Sequence, residues 1–218
     1  TVIFAFVYLA LYPGLGNFKG MLGWTSVGQH KAEVEKMDAT VKPLFDKFMA
    51  MDMKAVAADK QAMEMGKRLY LTYCMQCHGA DARGAKGFPN LTDADWLYGG
   101  EPETIKTTLL GGCQGMMPPF GPALGAEGTK DVANYVRSLS GLAHDSLRAQ
   151  RGKDVFAQNC VACHGPEAKG TPALGAPNLT DKVWLYGSSE AKIVETITLG
   201  RTNQMPAWKD FQIGRAHV

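Results

Sequence analysis

The chain has 218 residues, of which 45% are apolar and 20% charged, with a formal net charge of +2. That length suits one or two small domains, and the balance is that of a folded globular chain rather than a disordered one. There is no basic stripe and no run of Lys/Arg, so nothing in the sequence points to nucleic acid as a partner.

The first twelve residues, TVIFAFVYLALY (Thr1 to Tyr12), form a continuous apolar run. A bilayer span needs about 20 apolar residues, and no A-x-A cleavage site comes after the run as it would after a secretory leader. We read residues 1–15 as the C-terminal half of a transmembrane helix; a buried N-terminal helix of a soluble protein is the alternative. Residues 16–58, with the charged stretch HKAEVEKMD, form a connector with helical pieces and no evident chemistry.

A first module over residues 59–141 opens with a helix in which Ala62, Met65, Leu69 and Tyr70 share one face. It closes with a second helix. There Thr129 is the expected N-cap, Asp131 lies in the first turn, and Val132, Tyr135, Val136 and Leu139 form an apolar face. Ser140-Gly141 ends it. A second module covers residues 145–212. The equivalent closing helix should begin near residue 217, so the second module is expected to be the incomplete one and to hold its ligand less firmly. The last six residues, Ile213 to Val218 (IGRAHV), read as an adapter-derived, non-native tail.

The two modules are copies. GKRLYLTYCMQCHG from Gly66 aligns with GKDVFAQNCVACHG from Gly152 at an offset of 86. PNLTDADWLYG from Pro89 aligns with PNLTDKVWLYG from Pro177, and Met117-Pro118 with Met205-Pro206, at an offset of 88. In each copy a Gly is succeeded four residues later by an aromatic (Gly66 and Tyr70, Gly152 and Phe156), a pattern suited to close crossing by another helix. Gly- and Pro-rich loops join the motifs, with short helices possible around Trp96 and Trp184. No alternating run argues for a sheet, so the expected class is all-α.

Four of the five cysteines fall in two C-x-x-C-H units, Cys74 to His78 and Cys160 to His164, leaving Cys113 unassigned. This unit is the attachment signature of c-type haem. Cys74 and Cys77 would carry one covalent haem with His78 as its axial ligand, and Cys160 and Cys163 a second with His164. A thioredoxin-like pair would need a βαβ setting, and zinc pairs lie about 15–20 residues apart; neither explains a His after each pair. A methionine sulfur opposite the His would complete a six-coordinate, electron-transferring iron. Met205 is the only methionine after Met117, and Pro206 stiffens its loop. In the first copy alignment selects Met117, with Met116 beside it; the ordinary fate of the other methionines is to fill core. Arg201, just before the second Met-Pro, could meet a haem propionate or stand exposed; its aligned partner is Cys113.

These motifs, with YPGLG (Tyr12 to Gly16), GWTS (Gly23 to Ser26) and GFPNLTDADWLYGG (Gly87 to Gly100), resemble the CcoP (FixP) subunits of bacterial cbb3-type cytochrome c oxidases over nearly all of residues 1–212. The resemblance implies two tandem class I cytochrome c-like domains behind an N-terminal membrane helix, carrying two haem c groups with His78, Met117, His164 and Met205 as axial ligands. It implies anchoring in the bacterial inner membrane with the haem domains in the periplasm. Electrons would come from a soluble cytochrome c or the bc complex and pass to the monohaem and catalytic subunits, whose complex reduces oxygen and pumps protons. The chain would be an enzyme only as part of that complex. Cys113 stands where the family has Arg. The competing reading is a soluble periplasmic dihaem electron shuttle.

Overall fold

The computed structural model describes residues 1–13 and 19–209, and the chain divides into two compact units between Glu64 and Met65. In the first unit α1 (Val2–Leu11), α2 (Ser26–Met49) and α3 (Met53–Ala58) succeed one another. The Thr25 hydroxyl caps α2 by accepting from the Gly28 N–H at 2.9 Å, and the Asp52 carboxylate caps α3 from Lys54. The side chains of α1 are exposed, Ile3 by 81%. The rings of Phe4, Tyr8, Tyr12 and Trp24 form a ladder with centroids 6.1, 4.9 and 5.6 Å apart. No helix among the described residues is long and apolar enough to cross a membrane. The centre of YPGLG, the tail at residues 213–218 and the position near 217 lie outside the described residues.

The second unit is dominated by helices and repeats one order of elements twice. First come α4 (Lys60–Tyr73), which enters this unit at Met65, α5 (Met75–His78), α6 (Pro102–Gly111) and β1 (Cys113–Met117). After α7 (Gly121–Leu139) come α8 (Ser146–Asn159), α9 (Val161–His164), a 3-10 turn at Pro172–Leu174, α10 (Glu190–Leu199) and β2 (Arg201–Met205). The segments around Trp96 and Trp184, read from the sequence as loops with short helices possible, hold no helix. Thr129 does not cap a helix: α7 begins earlier and kinks at Gly125, whose carbonyl accepts from the Thr129 hydroxyl at 2.6 Å.

A two-stranded sheet, absent from the all-α expectation, joins the copies. β1 and β2 pair antiparallel with Cys113 opposite Met205, Gly115 opposite Asn203 and Met117 opposite Arg201. Gly115 and Asn203 occupy equivalent places in the repeat, so a local pseudo-two-fold axis passes through that pair. Five-residue strands of this polarity give little periodic signal alone, and each exists only because its copy supplies the other edge.

The pairing makes the two copies exchange the Met-Pro loops at the ends of these strands. Each strand is entered through the glycine that ends the preceding helix, Gly112 after α6 and Gly200 after α10, both at positive φ (69° and 72°). Over each glycine lies the Met-Pro loop of the other copy. A Cβ on Gly112 would come within 2.8 Å of the Ala207 nitrogen, and one on Gly200 within 2.9 Å of the Pro118 carbonyl carbon. The Phe120 N–H donates to the Ile197 carbonyl at 2.9 Å, and the Trp208 N–H to that of Leu109 at 2.9 Å.

The placement of α7 departs from the tandem arrangement expected of residues 59–141 and 145–212. The helix packs on α8 and α10 of the second copy, where Val132, Ala133, Val136, Phe156, Ile193 and Ile197 form the buried core. The crossing is at Gly152: a Cβ there would land on the Asp131 carbonyl and lie 2.9 Å from Tyr135 Cβ, while the Tyr135 and Phe156 rings meet at a tilt, centroids 5.3 Å apart. Gly66, the equivalent residue of α4, has open space around it. No residue of α4, α5 or α6 is buried. Among the described residues the opening helix of the first copy has no crossing partner at Gly66, whereas that of the second has one at Gly152. The physical reason is the short link from Ser140 to Asp145, which keeps consecutive helices together at little loop-closure cost.

Polar groups lock this junction. Asp131, 7% exposed, accepts from Arg148 at 2.9 Å and from Arg151 at 2.7 and 2.8 Å. Hydrogen bonding from Arg151, then from Arg148, holds its carboxyl below the usual carboxylate range. Asp145 caps α8 through Leu147 and Arg148, and its own N–H donates to Asn134 Oδ1.

The crossing can be tested by substitution. Gly152→Ala should destabilise the chain by about 1–3 kcal/mol through overpacking, whereas Gly66→Ala should stabilise it by up to about 1 kcal/mol through helix propensity. Denaturant midpoints read both, and equal effects would count against the α7–α8 crossing. Asp131→Ala should cost about 1–3 kcal/mol by removing the buried carboxylate that takes three charge-assisted hydrogen bonds from Arg148 and Arg151. In the parent chain Asp131's contribution is complete above the unfolded carboxylate pKa of about 3.9 and is lost as pH falls through its lower folded value. An acid-unfolding curve unchanged by the substitution would contradict that.

Candidate haem-binding sites

Each C-x-x-C-H motif ends a helix and folds into a single helical turn. The His164 N–H donates to the Cys160 carbonyl at 2.9 Å, and His78 to Cys74 at 3.0 Å. This presents the two sulfurs and the imidazole of each motif on one short turn. The His78 Nδ1 lies 3.0 Å from the Pro89 carbonyl and the His164 Nδ1 3.1 Å from that of Pro177. A carbonyl can only accept, so Nδ1 carries the proton in both rings and Nε2 is left as the metal-binding nitrogen.

The PNLTD motif, which the sequence marked without explaining, thus has a task. Its Pro carbonyl orients the histidine. Its Asn side chain accepts from the Thr92 or Thr180 backbone N–H (2.8 and 2.9 Å) and hydroxyl (2.7 and 2.8 Å), fixing the turn that delivers that carbonyl. A proline leading into Asn-x-Thr at a near-constant distance from each histidine was the available signal.

The environments of the two histidines differ. His164 is 8% exposed and burial lowers its pKa, so the ring is neutral, as a metal ligand must be. His78 is half-buried. Burial and the neighbouring Cys163 push the Cys160 thiol up to about 11, and burial raises Cys74 likewise. A thioredoxin-type pair needs a depressed thiol pKa, so these shifts speak against that rival chemistry.

A cavity of about 650 Å³ opens beside His164, within the range of small-molecule and cofactor sites. Cys160 and Cys163 line it together with Phe156, Leu179, Trp184 and Ile193. So does Met117, which packs on the core of the second copy through the strand exchange. Alignment of the repeat places Met117 with His78; the structure brings it into the cavity of His164. The Met205 loop crosses to the first copy in turn, where the Trp208 ring lies tilted against that of Tyr73 of α4, centroids 5.6 Å apart. Met116 is 71% exposed and Met117 half-buried, which favours Met117 as the inward residue of β1.

The donor set fits a c-type haem: two thiols, one neutral imidazole, one thioether and an apolar wall. One further observation fits. Trp184 Nε1 is buried in that wall without a hydrogen-bond partner among the described residues, a deficit of about 1–3 kcal/mol unless the occupant supplies an acceptor. Arg201 lines the cavity, but its guanidinium stacks 4.3 Å above the Tyr186 ring and donates to Glu195 and Thr196 at 2.8 Å. Lys192 and Arg201 hold the Glu195 carboxyl down at about 2. Cys113 is half-buried at its equivalent position, and burial raises its thiol pKa.

Two copies of one helical, C-x-x-C-H-bearing module, each with its histidine tied through Nδ1, define a protein built from cytochrome c-like domains. Comparison with known proteins gives the particular family. The family model "Cytochrome C oxidase, cbb3-type, subunit III" matches residues 61–136 and 147–218. The chain is 55% identical to the cbb3-type cytochrome c oxidase subunit CcoP of Rubrivivax gelatinosus, over 95% of this chain and 68% of that protein. It is 44% identical to the FixP subunit of Bradyrhizobium sp. (strain ORS 278), over 96% and 79%, and 36% identical to a CcoP subunit of Rhodobacter capsulatus, over 95% and 77%. The chain belongs to the CcoP/FixP family of cbb3-type oxidase subunits.

The exchange makes a testable assignment of axial ligands. In a Cys74→Ala/Cys77→Ala background, where only the second site can hold covalent haem, Met117→Ala should convert that haem to a carbon-monoxide-binding form. Met205→Ala should leave it unreactive. Visible spectra of the reduced protein with and without carbon monoxide read the difference, and the opposite pattern would restore the assignment implied by the repeat.

Proposed function

We propose that the chain is the dihaem electron relay of a cbb3-type oxidase. Cys74, Cys77, His78 and Met205 would hold one haem c, and Cys160, Cys163, His164 and Met117 a second. The observation that carries the reading is the pair of matched turns in which Pro89 and Pro177 fix the histidine tautomer, with a methionine loop delivered to each lobe. Bound haem supplies the one-electron couple. The protein holds the imidazole neutral and oriented, lines the second cavity with apolar side chains, and presents a thioether that favours electron transfer over ligand binding.

We place the chain in the bacterial inner membrane with its two haem lobes in the periplasm. The support is the family and the first unit, whose uncharged α1 exposes apolar side chains and runs into an aromatic ladder of Tyr8, Tyr12 and Trp24. Tyrosine and tryptophan at the end of an apolar helix are the residues of a membrane–water boundary. The partners in this reading are the monohaem and catalytic subunits as acceptors, and a soluble cytochrome c or the bc complex as donor.

Rapid mixing of the reduced protein with oxygen tests the proposal. Both haems should be oxidised quickly when the catalytic and monohaem subunits are present and remain reduced far longer when the chain is alone. Reoxidation at one rate in both conditions, or a haem content other than two per chain in the pyridine haemochrome assay, would overturn it.

A further inference from the structure

Two tyrosines of the repeat each lie on a glycine of the other copy. Gly87 and Gly175 are equivalent residues, as are Tyr98 and Tyr186, at the offset of 88. Both glycines are at positive φ (88° and 61°). A Cβ on Gly175 would come within 2.6 Å of Tyr98 Cε1, and one on Gly87 within 3.6 Å of Tyr186 Cε1. A ring of each copy therefore covers the main chain of the other. The Gly87 N–H also donates to the Leu185 carbonyl at 3.0 Å. Each ring is tethered through its hydroxyl to the strand of its own copy: Tyr98 meets the Cys113 thiol of β1, and Tyr186 bonds the Asn203 side chain of β2.

Two residues beyond each glycine stands the proline whose carbonyl accepts from the histidine Nδ1. In the second copy Ala176, between Gly175 and Pro177, is tied to Thr171 of the same loop by main-chain bonds of 3.0 and 3.2 Å. Tyr98 reaches that segment from outside the copy. It does not line the cavity of His164, so its route to the second site is the loop it covers. We propose that Tyr98 is a positioning residue for the haem held at Cys160 and Cys163: its ring, supplied by the first copy, keeps the Gly175–Pro177 segment where the Pro177 carbonyl holds His164. This rests on the second site holding haem. The bond from Nδ1–H makes the imidazole a more electron-rich ligand, which favours ferric iron. Losing the ring loosens that bond and makes the haem easier to reduce. The first copy thus tunes the second haem through a stretch of main chain.

The test uses the full chain with Cys74→Ala/Cys77→Ala, so that only the second haem titrates. In a potentiometric titration Tyr98→Leu should raise the reduced-to-oxidised ratio at a fixed solution potential by about two- to tenfold, the range expected for weakening one hydrogen bond. Tyr98→Phe, which keeps the ring on Gly175, should stay at the parent value. By ¹H–¹⁵N NMR of the reduced protein, the His164 Nδ1 proton should exchange with solvent faster in Tyr98→Leu and not in Tyr98→Phe. An unmoved potential in Tyr98→Leu, with haem still attached, would overturn the proposal, and so would an equal shift in Tyr98→Phe. Should Tyr98→Leu fail to mature, Gly175→Ala pushes the same ring off the loop from the other side, and a parent-like potential there would overturn the idea. A parent chain that takes up no haem at Cys160 and Cys163 would remove both this inference and the function on which it rests.

Discussion

Everything distinctive in the second unit depends on ten residues, the two strands that pair across the pseudo-two-fold at Gly115 and Asn203. The register leaves the chain no choice about where its methionines go. Once β1 lies antiparallel to β2, the segment leaving β1 must run over the end of α10, and the segment leaving β2 must run over the end of α6. Gly112 and Gly200 make the passage possible because their positive φ and missing side chains let another backbone lie directly upon them. The repeat is therefore held by exchange, and each lobe is finished by residues of the other copy.

That exchange makes two similar sequences physically unequal. The second copy gains α7, a buried core and an enclosed histidine; the first keeps an exposed α4 and a half-buried one. Apolar shielding raises the cost of charge on a bound iron and of leaving any polar atom unsatisfied. The same porphyrin chemistry placed in these two settings would not share one reduction potential, and a relay gains direction from such a difference. Arg201 and Cys113 at equivalent positions add to the inequality, although the Arg201 charge is shared with Glu195.

Much of the chemistry was legible in the sequence. The C-x-x-C-H units and the repeat of the motifs around them could be read from spacing alone; the Gly-to-aromatic spacing marked Gly66 and Gly152 alike as places for a helix crossing, but not that α7 would cross at Gly152. The pairing of methionine with histidine could not be read. A repeat alignment assumes that each copy closes on itself, and nothing local to GMMPPF or QMPAW says on which lobe the loop settles. The sheet was hidden for the same reason, since CQGMM and RTNQM become strands only when they meet. The role of PNLTD was visible as a motif but silent as to mechanism, because it acts through a main-chain carbonyl, which every residue has.

The exchange also imposes an order on assembly. A chain is made, and its domains fold, from the N-terminus onward. In the proposed ligation Met117 precedes the cysteines of its haem, so the second site would wait only for α10 and β2, the elements that seat β1. The first site is different. Its cysteines appear early, yet its sulfur ligand, Met205, lies beyond the whole of the second C-x-x-C-H motif. Through that interval an earlier haem would have a bare face, and an iron proposed only to pass electrons would spend its first moments able to bind small molecules.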